Sequence, residues 1–498
     1  MKKRVFLVLS VLLLLLCAFG AAEEELAVSE TKTDHVAVTD QTAMINGKYI
    51  PYTATAGTML MDTAMGRYEI FYTAYVTSNV DYDKPRPITF CFNGGPGASS
   101  VYLHMGFLGP RRISLDATGN VTKLPAELVD NEISLLDMTD LVFIDPVGTG
   151  YSRVLEGTEV DAFYTDEGDT VSVGDFIRQY VNQNKRWSSP KYLIGESYGT
   201  VRAVNVCNYL AQQHKMYLNG IVLVSSANDF STLEFEGIND LPYELYIPTY
   251  AADAWYHKLT DVRYQEMTLE DYMAEVRKFV AGTYAPALFK GRSLSDAERE
   301  KVAEQLSGYI GVSKDFILKK DLRIDLDTFL SELLADRKQI VGRMDGRITG
   351  PVTAASGEMD LSDPSVTGTN LGFGTAVSQY LTEELNYQTD RPYEVLSNVI
   401  EPSWKYTTPR MGYLNQEKII SQIMGENPFL KVWVLCGYYD GATPFHAAEW
   451  VYDHTSLNEK SLENLMFTYY PSGHMIYLEE GSRAQFRKEA EAWFGLAN

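Results

Sequence analysis

The stretch Lys191-Tyr-Leu-Ile-Gly-Glu-Ser-Tyr-Gly-Thr200 governs the reading of everything around it. An apolar run, Tyr192 to Ile194, meets Gly195-Glu196-Ser197-Tyr198-Gly199, and a helix-like segment continues through Leu210. A G-x-S-x-G between a strand and a helix predicts a sharp, strained turn that lifts a serine hydroxyl clear of a sheet. It also sets that hydroxyl at the positive end of a helix. The five letters alone fit a tight turn near a buried helix equally well, so the flanking chain must decide.

Upstream, Asn46-Gly47 marks a hairpin turn, and Gly66 to Val76 alternates as a strand does, with Tyr68, Ile70 and Tyr72 on one face. Ile88 to Phe92 and Leu141 to Ile144 read as buried strands, and Val173, Phe176, Ile177, Tyr180 and Val181 repeat as a helix. Downstream, Gly220 to Val224 is a further strand. From about Asp229 the periodicity turns helical, with stripes at Tyr272, Val276, Phe279 and Val280 and at Leu326, Phe329, Leu330, Leu333 and Leu334. Ser295 to Glu298 resembles a capping box, and Ser356 to Asn370 reads as a polar loop before a helix near Val377 to Leu385. Strand signals resume at Leu430 to Gly437 and Met466 to Tyr470, and a closing helix carries Phe486, Ala490, Trp493 and Phe494. Strands alternating with helices predict an α/β fold with a doubly wound, mostly parallel sheet. The expected organisation is a signal peptide over 1–22, a polar segment over 23–42, a core in two parts over 43–229 and 406–498, and a mainly helical cap inserted over 230–405. An independent helical domain is the alternative for that insertion, disfavoured because strands resume after it.

The first 22 residues have the form of an export signal: Lys2, Lys3 and Arg4, an apolar run from Val5 to Leu16, then small residues before Glu23. The run is short for a bilayer span, and no second transmembrane candidate follows. Cys17 could carry a lipid, although the bulky Leu16 before it disfavours that. With 45% hydrophobic and 22% charged residues the chain is of ordinary globular composition. Its net charge of −23 argues against nucleic acid or an anionic membrane as partner. Oligomeric state leaves no mark on the sequence. Beyond Cys17 only Cys91, Cys207 and Cys436 remain, each in or beside an apolar run, so buried free thiols are expected. No Cys/His cluster has zinc spacing, so no metal is expected; the serine chemistry read below needs no cofactor.

A serine hydroxyl becomes a useful nucleophile only beside an oriented base. Of the seven histidines, His474 alone lies in a glycine-bearing loop directly after the last strand, and Asp440 likewise follows a buried strand. The order Ser197, Asp440, His474 is the one that α/β-hydrolases use. His446 is the rival base, six residues beyond Asp440 and expected on the following helix. Developing negative charge needs backbone donors. Asn93-Gly94-Gly95-Pro96-Gly97 leaves an early strand where one donor is expected, and the N–H of Tyr198 is the second. A phosphate cradle competes for such a glycine loop, but no lysine follows at P-loop spacing.

Phe92 to Gly97, Phe143 to Ser152, Gly195 to Gly199, Tyr439-Asp440 and Gly473-His474-Met475 together resemble the serine carboxypeptidase family, from about residue 40 to the C-terminus. The resemblance implies an α/β-hydrolase that removes residues from the C-terminus of peptides, best at acidic pH. It implies Ser197, Asp440 and His474 as the triad, Gly95 and Tyr198 as oxyanion donors, and Asn93, Gly94 and Glu196 as holders of the substrate's terminal carboxylate. Three positions depart from the family pattern. Cys91 stands where many members have Trp, Phe107 where a Glu is frequent, and Ala98 where many have a disulfide cysteine. The missing cysteine and the segment Asn239 to Tyr243 point to a bacterial-type member. The expected function is an exported, periplasmic or extracellular serine carboxypeptidase acting through an acyl-enzyme on peptides with a free C-terminus. The rivals are an esterase or acyltransferase on the same triad and a non-catalytic exported binding protein.

Overall fold

Asn46 and Gly47 both take left-handed φ values, +48° and +70°, which close the two-residue turn of a long hairpin. Its arms are β1 (Val36–Ile45) and β2 (Lys48–Thr63), and β3 (Gly66–Thr77) adds antiparallel to β2. The computed structural model describes residues 36–78, 85–117, 119–352, 363–407 and 412–496. The expected export signal, Cys17 and most of the polar N-terminal segment lie outside these residues.

Short apolar runs supply the rest of the sheet: β4 (Ile88–Phe92), β5 (Asp140–Ile144), β6 (Lys191–Glu196), β7 (Gly220–Val224), β8 (Lys431–Gly437) and β9 (Leu465–Tyr470). Their order is β1-β2-β3-β5-β4-β6-β7-β8-β9, with the short strand Arg153–Val154 also pairing β3. Every pairing from β5 to β9 is parallel. Strands β4 to β7 are buried along their whole length, the pattern of a sheet covered on both faces. One face carries α1 (Asp166–Gln183) and α2 (Tyr198–His214) through Val173, Phe176, Val204 and Leu210. The other carries the C-terminal helix Glu480–Leu496 through Phe486, Ala490, Trp493 and Phe494. The doubly wound, mostly parallel sheet is therefore as expected.

Between β7 and β8 the chain forms helices, among them α3 (Ile247–Tyr256), α4 (Leu269–Phe279) and α5 (Asp296–Ile310). The Ser295 capping box is present, with Ser295 and Glu298 each satisfying the other's backbone N–H. Two expectations need correction. A two-stranded ribbon, Gln339–Val341 with Thr349–Pro351, sits in this interval, where the sequence showed no strong strand signal; its strands are only three residues long. The stretch read as a loop from Ser356 to Asn370 becomes helical at Pro364, because Asp363 caps the Ser365 N–H and Pro364 occupies the first turn. Residues 353–362 lie outside the described part. Among the described residues no helix is long and apolar enough to cross a membrane.

Candidate active site

In a parallel sheet the loops after each strand emerge at one edge, and the predicted site residues lie in such loops or, like Glu196 and Tyr198, at the strand and helix ends that flank them. Phe92 pairs with Gly195, Glu196 with Val224, and Gly437 with Tyr470. Hence Asn93–Gly95, Ser197, Asp440 and His474 follow strand ends held in register.

Ser197 has φ +60° and ψ −130° and stands directly before α2. A non-glycine residue in that region is strained, at a cost of about 1–3 kcal/mol, and persists only where its surroundings enforce it. The enforcement is visible. A Cβ on Gly94 would lie 2.5 Å from the Tyr198 nitrogen, and one on Gly199 would lie 2.9 Å from the carbonyl oxygens of both Phe92 and Asn93. The loop after β4 and the first turn of α2 thus interlock, backbone against backbone. Glu196 and Tyr198 on either side are buried, whereas Ser197 itself is partly exposed. Gly95 is exposed with φ +99°. Gly94 and the Tyr198 nitrogen therefore lie side by side next to Ser197.

His474 is 2% exposed, and its Nδ1 donates to Asp440 Oδ2 at 2.8 Å. The Asp440 carboxylate also accepts from the N–H groups of Ala442 and Thr443 at 2.8 and 2.9 Å and from Thr443 Oγ1 at 2.7 Å. Four donors hold it in one orientation, and the proton it fixes on Nδ1 leaves Nε2 as the basic nitrogen. Burial works to lower the His474 pKa, but the Asp440 and Glu196 carboxylates leave it above the ordinary value. His446 lies on the helix Phe445–His454, as expected, and bonds through Nδ1 to Glu449 at 2.6 Å. Glu449 in turn pairs with Arg277 and Tyr469, so His446 belongs to a separate network.

Burial pushes the Glu196 carboxyl up to about 7; the Asp440 charge adds to this, while His474, Tyr477 and Asn93 oppose it. Asn93 is buried, and its Oδ1 accepts from the Leu103 N–H at 3.0 Å. Cys91, Cys207 and Cys436 are all buried and unpaired. Phe107 packs flat on Tyr477 with ring centres 4.6 Å apart.

Two supporting groups escaped the sequence reading. Arg202 on α2, 1% exposed, pairs with the buried Asp169 of α1 at 2.7 Å, donates to the Asn93 carbonyl, and lies over the Phe92 and Tyr198 rings. Nothing in the sequence distinguishes Arg202 from a surface arginine. The second group is the turn Arg343–Arg347. His474 N–H donates to the Met344 carbonyl (2.7 Å), Gly441 N–H to that of Arg343 (3.0 Å), and Gly346 N–H to that of Tyr439 (2.9 Å). Arg347 adds a bond to the Pro471 carbonyl at 2.7 Å. One turn thereby ties the Asp440 loop to the His474 loop. The dipeptide Asp345-Gly346 is a turn signal that could have placed it.

Comparison with known proteins accords with this geometry. A profile of the serine carboxypeptidase family matches residues 48–314, more than half of the chain. Serine carboxypeptidase-like 51 of Arabidopsis thaliana is 32% identical over 152 residues, 29% of this chain and 30% of that protein. Serine carboxypeptidase-like 25 of the same plant is 25% identical over 44% of each chain. The pheromone-processing carboxypeptidase KEX1 of Yarrowia lipolytica is 29% identical over 34% of this chain and 26% of its own. Each of these matches spans less than half of the relative's length. The crystal structure of the prohormone-processing carboxypeptidase Kex1 from Saccharomyces cerevisiae superposes with a TM-score of 0.56 at 15% identity, covering 89% of this chain and 91% of that one, which speaks to the fold. With an α/β-hydrolase sheet, a strained serine turn interlocked with a glycine loop, and a profile match over more than half its length, the chain belongs to the serine carboxypeptidase family.

Proposed function

We propose that the protein is an exported serine carboxypeptidase that removes the last residue of peptides through an acyl-enzyme. Ser197 Oγ attacks the final peptide carbonyl while His474 Nε2 takes its proton; Asp440 holds the imidazole and balances the charge it gains. The Gly95 and Tyr198 N–H groups stabilise the developing oxyanion. Collapse breaks the C–N bond, His474 passes its proton to the leaving amine, and water then cleaves the acyl-serine ester by the same base. Asn93, Gly94 and Glu196 hold the terminal carboxylate, and the helices of residues 230–405 act as a cap that walls the pocket.

The observation that carries this reading is the buried Glu196 carboxyl next to the nucleophile. An ionised carboxyl there would repel a substrate's terminal carboxylate, whereas a protonated one can donate to it. The test is digestion of a peptide and of its C-terminal amide, followed by mass spectrometry. The reading expects single residues lost in order from the free C-terminus only. Internal cleavage, or hydrolysis of small esters without peptide cleavage, would favour the esterase or acyltransferase reading. Failure of a fluorophosphonate probe to label Ser197 would favour a binding protein.

A further inference from the structure

Phe107 is wholly buried and brings no polar atom to this part of the site. Its ring is not idle, because it stacks on Tyr477, the rings 15° from parallel. Tyr477 is wholly buried on the short helix Ile476–Leu478, two residues beyond Met475. Its backbone is pinned by Arg483, which donates to the carbonyls of Tyr477 and Leu478 at 2.8 and 3.0 Å. Gly106 leaves room for the ring, since a Cβ there would come within 2.8 Å of Tyr477 Cε2.

The Tyr477 hydroxyl and Glu196 Oε2 are both fully buried, and neither closes an aligned hydrogen bond. The two groups are nevertheless within reach of each other and of the Asn93 amide. Burial holds the Tyr477 pKa well above its ordinary value, so the hydroxyl remains a donor. Leaving buried polar atoms unsatisfied is costly, and a ligand that completes them recovers that cost. The Tyr477 hydroxyl can donate to the Glu196 carboxyl, and a protonated Glu196 then has its own proton left for a group that only accepts.

We infer that Tyr477 is a further member of the carboxylate-recognition site: its hydroxyl donates to the Glu196 carboxyl, which leaves the Glu196 proton for the substrate's terminal carboxylate. This rests on the carboxypeptidase reading and names a positioning residue within it. The groups that face Glu196 are Asn93, Tyr102, Asp440, His474 and Tyr477. Of these, Asp440 and His474 belong to the triad and Asn93 to the loop after β4, whereas Tyr477 belongs to neither.

The test is Tyr477→Phe in the full enzyme, which keeps the ring and its stack on Phe107. The substitution removes one hydroxyl and leaves the packing in place, so the variant should fold, as a melting temperature close to that of the wild type would show. The preference for a free-acid peptide over its amide, as the ratio of kcat/KM at pH 5, should fall about ten-fold, mainly through KM. The donated bond favours ionised Glu196, so its loss should also move the midpoint of the pH-dependent decline upward. A wild-type enzyme that prefers the free acid, with ratio and midpoint unmoved in the variant, would overturn the inference and leave Tyr477 a packing residue. A wild-type enzyme without that preference would instead overturn the carboxypeptidase reading, and this inference with it.

Discussion

Ser197 sits at φ +60° because its neighbours leave it no alternative: Gly94 and Gly199 bring two backbones closer than any Cβ would allow. Replacing either by Ala would push the loop after β4 away from α2. The side chains that do chemistry are similarly held, Asp440 by four donors and His474 by Asp440. Ser197→Ala and His474→Ala should each lower kcat on the order of 10⁴-fold or more, because nucleophile and base act as a unit. His446→Ala should keep most of its turnover, since His446 serves Glu449 and not Asp440. Steady-state assays of the three variants check this, and an inactive His446→Ala would refute the choice of base.

At the scale of elements, α1 and α2 are joined behind the serine turn by the buried Asp169–Arg202 pair. Arg202→Met would leave Asp169 buried without its cation, and should cost about 3–5 kcal/mol in urea unfolding. Adding Asp169→Leu should recover more than half of that loss, because it is the uncompensated charge that destabilises. The elements themselves were legible where a single physical signal dominated. Short apolar runs gave β4 to β9, Asn46-Gly47 gave the first hairpin, and Ser295 with Glu298 gave the start of α5. The helix from Pro364 reads as a loop because of its Ser, Thr and Gly content, which its Asp363 cap and Pro364 in the first turn override. At the site, Ser197, Asp440 and His474 could be read because each follows a strand. Arg202 and Tyr477 could not, and Asp345-Gly346 signals only a turn and not its partners, because these roles come from contacts between distant parts of the chain or from packing that has no sequence period.

For the whole molecule, several buried or half-buried acids keep their protons until the pH approaches 7. Burial pushes Asp145, Glu196 and Glu244 each up to about 7. An acid with a raised folded-state pKa binds its proton more tightly when folded, so its contribution is complete below the ordinary carboxyl range and is lost as pH rises towards 7. The raised His474 acts in the same direction. Glu449 opposes: burial works against its charge, but His446 and Arg277 hold it down at about 2, so its contribution is lost only as pH falls from about 4.5 through 2. The melting temperature should therefore fall between pH 5 and pH 8, and a flat or rising profile would contradict these assignments. Thiol titration of the protein without residues 1–22 should find Cys91, Cys207 and Cys436 unreactive when folded and all three reactive once denatured.

The central claim is that this site recognises a carboxylate through a neutral Glu196, and substrate charge tests it most directly. The measurement is kcat/KM from pH 4 to 8 for one peptide as free acid and as C-terminal amide. Ionised Glu196 can only accept, so activity on the free acid should decline as pH rises through about 7. Activity on the amide should instead rise as His474 deprotonates, and Glu196→Gln should flatten the free-acid decline. Superimposable profiles for the two substrates, or an unaltered decline in Glu196→Gln, would contradict the account.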